Sequence, residues 1–146
     1  MSQIKQIYLA GGMTGLTPNE YMDWRLIIAN KLPYIAEQRN AKFEPYIINP
    51  AAYYNDDSPD DFNSQREVME FDLHKLRQSD LVICNFNSPH SLGTMAELAI
   101  AWDRRIPIIG LNLDNIALHP WQTDMVNKMF DNLGVMLSYI ATYYLV

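Results

Sequence analysis

The chain predicts an α/β fold in which a mostly parallel sheet carries helices on both faces. Short apolar runs alternate along the sequence with longer segments of helical spacing, and capping residues mark where several of those helices begin. Size points the same way: 146 residues, 49% of them hydrophobic, fill one core and would be cramped as two. A single domain is therefore expected over 1–146, and no repeat, low-complexity tract or linker interrupts it.

The first strand runs from Ile4 to Ala10 and ends at Gly11-Gly12-Met13-Thr14-Gly15. Thr17-Pro18-Asn19-Glu20 combines a capping box with Pro at the first helical position, opening a helix with Trp24, Ile27, Ile28 and Leu32 at helical spacing. Phe43 to Ile48 is a second strand, stopped by Asn49-Pro50, and Ala51 to Phe62, rich in Tyr, Asp, Asn and Pro, reads as a loop long enough to be functional. Ser64-Gln65-Arg66-Glu67 is a second capping box; its helix extends to about Gln78 with Met69, Leu73 and Leu76 on one face and Asp72 beside it. Asp80 to Phe86 makes the third strand, a helix containing Glu97 follows, and Ile106 to Leu111 makes the fourth. Pro120 then starts a helix reaching Met125, Met129 and Phe130. Val135 to Val146 fits either strand or helix; being too apolar for a free tail, it either completes the sheet or packs on a neighbouring subunit.

Composition excludes several function classes. The net charge of −6 comes without any run of Lys or Arg, so nothing tracks a nucleic-acid backbone or an anionic membrane. No apolar run approaches the roughly 18 residues of a membrane span, and Met1-Ser2-Gln3-Ile4-Lys5 leads directly into a strand, so a cytoplasmic protein is expected. The one cysteine, Cys84, lies inside a strand pattern and reads as core. His74, His90 and His119 are spread without ligand spacing, so neither a metal nor a cofactor is expected.

The stretch Ser91 to Trp102 stands apart because it holds one carboxylate, Glu97, in an otherwise uncharged run just after a small-residue turn. A carboxylate among Met, Leu, Ile and Trp is costly to desolvate unless it is paired, hydrogen-bonded or used. Its loop follows a strand and so lies at the carboxyl edge of the sheet, where open α/β folds bind ligands. Two local readings stand open. Thr94-x-x-Glu97 fits a capping box, in which Glu97 reaches back to its own helix; alternatively Ser91 is the N-cap and the amides of Leu92, Gly93 and Thr94 point out of a positive helix end, ready for an anion.

Ile7-Tyr8-Leu9-Ala10-Gly11, Asp72-Leu73 followed by Ser79-Asp80, and Ser91-Leu92-Gly93-Thr94-Met95-Ala96-Glu97-Leu98, in this order, resemble the nucleoside 2-deoxyribosyltransferase family over roughly residues 4 to 112. The resemblance implies a flavodoxin-like, Rossmann-like three-layer sandwich with a five-stranded parallel sheet. It implies an enzyme that cleaves the bond between a nucleobase and its (deoxy)ribose, commonly in oligomers that complete each other's sites. Glu97 falls on the family's nucleophile, Tyr8 on the tyrosine that orients it, and Asp72 on the acid that acts near the base. At Ser91 the chain departs from transferases of free nucleosides, which commonly carry Asp there. Ser-Leu-Gly resembles instead the 2'-deoxynucleoside 5'-monophosphate N-hydrolases, whose serine binds a phosphate, although the Arg usual in their first loop is absent. Physics agrees with the distinction, since an Asp would repel a phosphate dianion while a hydroxyl and helix-start amides would donate to it. Gly12-Met13-Thr14-Gly15 and Asn49-Pro50 also resemble small phage and bacterial proteins of the same superfamily.

The expected site therefore comprises Glu97, Asp72 and Tyr8 as catalytic residues, with Gly11, Gly12, Met13, Thr14, Ser91, Gly93, Thr94 and Asn49 binding substrate. The expected reaction is N-glycosidic cleavage of a (2'-deoxy)nucleoside 5'-monophosphate. The alternatives are base exchange between deoxynucleosides and a non-catalytic nucleotide-binding module. The expected partners are a small-molecule nucleoside or nucleotide and further copies of the chain, a neighbour's C-terminal region, with Trp121, Thr123 and Asn127, completing each site. Base preference is assigned to Asn49, Tyr53, Tyr54 and Asp56.

Overall fold

Five of the apolar runs pair into one sheet: β1 (Gln3–Gly11), β2 (Phe43–Ile48), β3 (Leu81–Asn85), β4 (Ile108–Leu111) and β5 (Lys128–Phe130), in the order β2-β1-β3-β4-β5. The structure, a computed structural model, describes residues 3–53 and 64–146, and within them every strand pair is parallel. β3, buried along its whole length, stands at the centre between β1 and β4. Ile7 to Gly11 of β1 lie opposite Leu81 to Asn85 of β3.

Parallel strands need crossover connections, and the capped segments supply them. Thr17 caps α1 (Pro18–Gln38) with the full reciprocal box, Glu20 N donating to Thr17 Oγ1 at 3.3 Å and Thr17 N to Glu20 Oε1 at 3.0 Å. Ser64 and Glu67 do the same for α2 (Gln65–Arg77). Ser91 caps α3 (Leu92–Asp103), His119 caps α4 (Pro120–Met125), and Asn132 caps α5 (Leu133–Tyr143).

The sheet's two faces carry two cores. On one, α1 and α5 bury Trp24, Ile28, Leu32, Met136, Leu137 and Ile140 against Ile7, Leu9, Ile83 and Ile109. On the other, α2 and α3 bury Leu76, Leu98 and Ala101 against Tyr8, Ala10, Val82, Cys84 and Ile108, with Met125 of α4 packed beside them.

Several expectations are corrected. Met129 and Phe130 do not continue the Pro120 helix: it stops at Met125, and Lys128–Phe130 pairs with Ile109–Leu111 as the edge strand. The C-terminal segment is helix α5, which covers its own sheet instead of extending it; Leu145 is fully buried, and its carbonyl accepts from Phe43 N at 2.9 Å. Met69 faces outward at 53% exposure, because the face of α2 that meets the sheet runs through Leu76. Ile27 is likewise exposed beside the buried Trp24 and Ile28. The fourth strand starts at Ile108, two residues later than expected. Of the long loop, Pro50–Tyr53 forms a 3-10 turn, while Tyr54 and Asp56 lie outside the described residues. No described helix is long and apolar enough to cross a membrane.

Candidate functional site

At the carboxyl edge of the sheet the chain leaves β1, β2, β3 and β4 through loops that converge beside the start of α3. The departure from β1 is tight. Gly12 N donates to Asn87 Oδ1 at 3.0 Å, and a Cβ on Gly12 would lie 2.4 Å from Ser88 Cβ, so only glycine allows the two loops this approach. Met13 O accepts from Leu16 N at 3.1 Å and Gly15 takes φ +81°, closing a turn that holds Met13 half-buried and Thr14 exposed. After β2, Asn49 shapes its own turn: its Oδ1 accepts from Ala51 N at 3.1 Å and its Nδ2 faces Met22 Sδ at 3.5 Å. The expected contact of Asn49 with substrate thus falls on a carboxamide engaged within the fold.

At the start of α3 the two open readings resolve. Ser91 Oγ accepts from Thr94 N at 3.4 Å and from Thr94 Oγ1 at 3.0 Å, and Met95 N closes on Ser91 O at 3.1 Å. Ser91 is the N-cap, and Thr94 is buried inside the first turn, unavailable as the cap of a box with Glu97. The amides of Leu92 and Gly93 have no intrahelical acceptor and lie at the positive end of the helix. A Cβ on Gly93 would meet nothing within 4 Å, so there is open room beside them. Both acceptor positions of Ser91 Oγ are occupied by Thr94, which leaves its hydrogen to be donated outward.

Glu97, freed from capping, projects one turn further along α3 toward β1 and α2. Its surroundings raise its carboxyl from 4.5 to about 7. Burial is the largest cause; the Asp72 charge on α2 adds to it, while a hydrogen bond from the Tyr8 hydroxyl and the positive charge of Arg25 oppose it. Tyr8 is fully buried in mid-strand, and its hydroxyl meets Glu97 in looser geometry than the bonds quoted above, as is common in unliganded sites. Cys84, equally buried on β3, has its thiol pushed far up by burial and by Glu97, and stays a neutral core residue. The structure therefore brings Tyr8, Asp72 and Glu97 into one electrostatic cluster at the seam of α2 and α3. Among the described residues no three His, Cys, Asp or Glu side chains come together as metal ligands.

Three residues were missed in the sequence. Asn87 ties the β1 loop to the β3 loop. Gln122, buried on α4, donates to Pro89 O at 2.7 Å and holds α4 against the same loop. Arg25, on α1, is 1% exposed and lies under the end of β1. Its signal was present, because Arg25, Ile28 and Leu32 recur at i, i+3 and i+7, which puts a charge on the buried stripe.

Sequence comparison finds no matching protein-family model and no matching curated protein. Comparison of the folded chain with solved structures does find similar proteins. A conserved protein from Enterococcus faecalis V583 superposes with a TM-score of 0.74 at 14% identity, covering 95% of this chain and 98% of that one. A 2-deoxyribosyltransferase from Bacillus psychrosaccharolyticus gives 0.65 at 15% identity, covering 92% and 91%. A CMP N-glycosidase from Clostridium botulinum gives 0.56 at 18% identity, covering 95% and 100%. The chain has the five-stranded flavodoxin-like fold of these proteins.

Proposed function

We propose that this chain cleaves the N-glycosidic bond of a (2'-deoxy)nucleoside 5'-monophosphate and releases the free base. The observation that carries the reading is the pairing of two features on one helix. A partly desolvated carboxylate, Glu97, faces a tyrosine and a second carboxylate, and one turn away the helix start offers the Ser91 hydroxyl and two amides. The fold shared with a CMP N-glycosidase supports nucleotide cleavage.

In this mechanism the 5'-phosphate is held by Ser91, the amides of Leu92 and Gly93, and the turn Gly11-Gly12-Met13-Thr14, which orients C1' toward Glu97. The reactive form has Glu97 ionised and the proton on Asp72; because the Asp72 charge is one of the causes that raise Glu97, a proton on Asp72 favours the attacking carboxylate. Glu97 attacks C1', the C1'–N bond breaks, and its electron pair leaves with the base, which takes the proton of Asp72. The glycosyl-Glu97 ester is then opened at C1' by water, whose proton returns to Asp72. Tyr53, whose ring meets Phe71 of α2 next to Asp72, borders the base. Base exchange, in which a second nucleobase replaces water, is the second reading, favoured by the fold shared with a 2-deoxyribosyltransferase.

Assembly belongs to the same proposal. Ahead of the exposed Asp103 at its end, α3 shows an apolar outward stripe, where Leu92 is 87% and Trp102 57% exposed with Ala96 and Ala99 between them, and Trp121 of α4 adds 68% exposure. An exposed apolar stripe of this kind calls for cover. We infer a homo-oligomer apposed along α3, which brings a neighbour's Trp121 region to the rim that Gln122 fastens to Pro89.

The test is base release from nucleosides and 5'-monophosphates in ribo and deoxy forms, with and without an acceptor base, and Glu97→Ala as control. Release from monophosphates that disappears in Glu97→Ala supports the hydrolase, and release that requires an acceptor base moves the protein to the transferases. Tight nucleotide binding without turnover would leave a sequestering module.

A further inference from the structure

β1 runs beyond its neighbour. The β1–β2 ladder ends at Tyr8 opposite Ile48, where Asn49-Pro50 turns the chain away, while β1 continues to Gly11 alongside β3. In β1 the even positions face β3, as Gln6 O does in accepting from Asp80 N at 2.8 Å. The carbonyls of Leu9 and Gly11 therefore point to the side that β2 has vacated. Buried carbonyls without partners are costly, and one side chain answers both. Arg25 Nη1 donates to Leu9 O at 2.6 Å and Nη2 to Gly11 O at 3.0 Å, while Nε donates to Tyr21 O at 2.9 Å and the guanidinium lies 4.6 Å from the Trp24 ring.

The fork is thus anchored on both α1 and β1, and it holds the two strand residues that bracket Ala10 and lead into Gly12. It is also a charge. None of its three recorded acceptors is a carboxylate, and its electrostatic partners are Glu97, Tyr8, Asp72 and Cys84, the contents of the site. We propose that Arg25 is a positioning residue of this site: its guanidinium replaces the missing strand beside β1, fixes Tyr8 and the Gly11-Gly12 turn, and presents a buried positive charge to Glu97 and Asp72. This rests on the reading of Glu97 as nucleophile and adds to it the counter-charge that favours the attacking form.

Three elements besides α1 face Glu97 with titratable side chains. β1 contributes Tyr8, α2 contributes Asp72, and β3 contributes Cys84. β4 has no titratable side chain, and Asp124 of α4 is exposed. Burial favours the neutral acid and Arg25 opposes it, so removing the guanidinium moves Glu97 upward.

Two measurements separate this proposal from the function it rests on. A carbon-13 NMR titration of the Glu97 carboxyl in the full chain needs no substrate, and base release from a monophosphate read as kcat and KM against pH needs turnover. In Arg25→Met the Glu97 midpoint should rise by at least about half a pH unit, with the acid limb of kcat/KM moving alongside. In Arg25→Lys, which keeps the charge and loses the fork, the midpoint should stay while kcat falls about tenfold or more at little changed KM. A folded Arg25→Met with an unmoved midpoint overturns the electrostatic role, and wild-type kcat in Arg25→Lys overturns the positioning role. Should Arg25→Met fail to fold by circular dichroism, Arg25→Lys alone decides. If the wild-type protein turns over nothing while the midpoint still moves, the glycosidase reading fails and the coupling of Arg25 to Glu97 stands.

Discussion

Replacing Glu97 by Gln should make the protein more stable above pH 7, where the wild-type carboxyl is ionised and able to attack. The carboxyl is held at about 7 in the folded chain against 4.5 for the free group, so folding favours its protonated form. That contribution is fully present below about pH 4.5 and is lost as pH rises through 7, where the native state must hold a charge in a mostly apolar seam. The rise from 4.5 to about 7 corresponds to about 3 kcal/mol at pH 8. Gln keeps the volume and an acceptor for Tyr8 but carries no charge. At pH 8 the Gln variant should exceed wild type by most of that energy, a rise in Tm of roughly 10 °C for a domain of this size. Near pH 4.5 the two melting curves should nearly coincide. Thermal melts by circular dichroism from pH 4.5 to 8.5, at one fixed protein concentration because of assembly, read this directly. The same variant should lose at least about a thousandfold in base release if Glu97 is the nucleophile. A difference in Tm that is flat with pH, or a Gln variant less stable at pH 8, would refute the reasoning, since either means that the charge is compensated in place.

Tyr8→Phe removes the hydrogen bond that lowers Glu97, so the acid limb of kcat/KM should move to higher pH; a limb that stays put assigns Tyr8 to packing alone. Ser91→Asp keeps an N-cap but sets a negative charge where phosphate is proposed to bind. Monophosphate kcat/KM should fall about a hundredfold or more while any nucleoside activity survives, and an equal loss on both substrates argues against a phosphate there. Trp102→Glu puts a charge in the outward face of α3, and analytical ultracentrifugation should show dissociation to monomers; an unaltered assembly would mean that another surface mediates it.

The fold was legible where local chemistry and tertiary demand coincide. Thr17 and Ser64, each with Glu three residues on, announced their helices to the residue, and β2 fell at Phe43–Ile48 as expected. Periodicity failed where elements are short. Lys128–Phe130 is three residues long, too brief for an alternation to show, and two methionines nearby imitate helical spacing. The apolar end Val135 to Val146 could not be assigned because its composition suits either element; packing against α1 and the sheet decides for helix. At the site, Ser91 and Thr94 both had capping chemistry, and only the backbone geometry chooses between them, releasing Glu97. Asn87 was hidden for a different reason, while Arg25 showed only as a charge on the buried stripe of α1. Asn87 serves the Gly12 amide across 75 positions, which no window along the chain spans, and the carbonyls that Arg25 serves are left open only by the way β2 turns from β1.

The sheet order sets a timetable. β1, which precedes the other four strands in the chain, is an inner strand and stays incomplete until β3 arrives, and the bond from Gly12 to Asn87 closes a separation of 75 positions. Such long-range parallel pairing is slow to form because chain entropy is lost before contacts reward it. Until then Ile7 and Tyr8 are paired on one side at most and Leu9 and Ala10 on neither, the kind of apolar segment that recruits other chains. A nascent chain truncated before β3 therefore contains Tyr8 and Arg25 but neither strand partner for the end of β1 nor the helix bearing Glu97. Expression yield should depend on whatever shields that first strand while the ribosome delivers the rest.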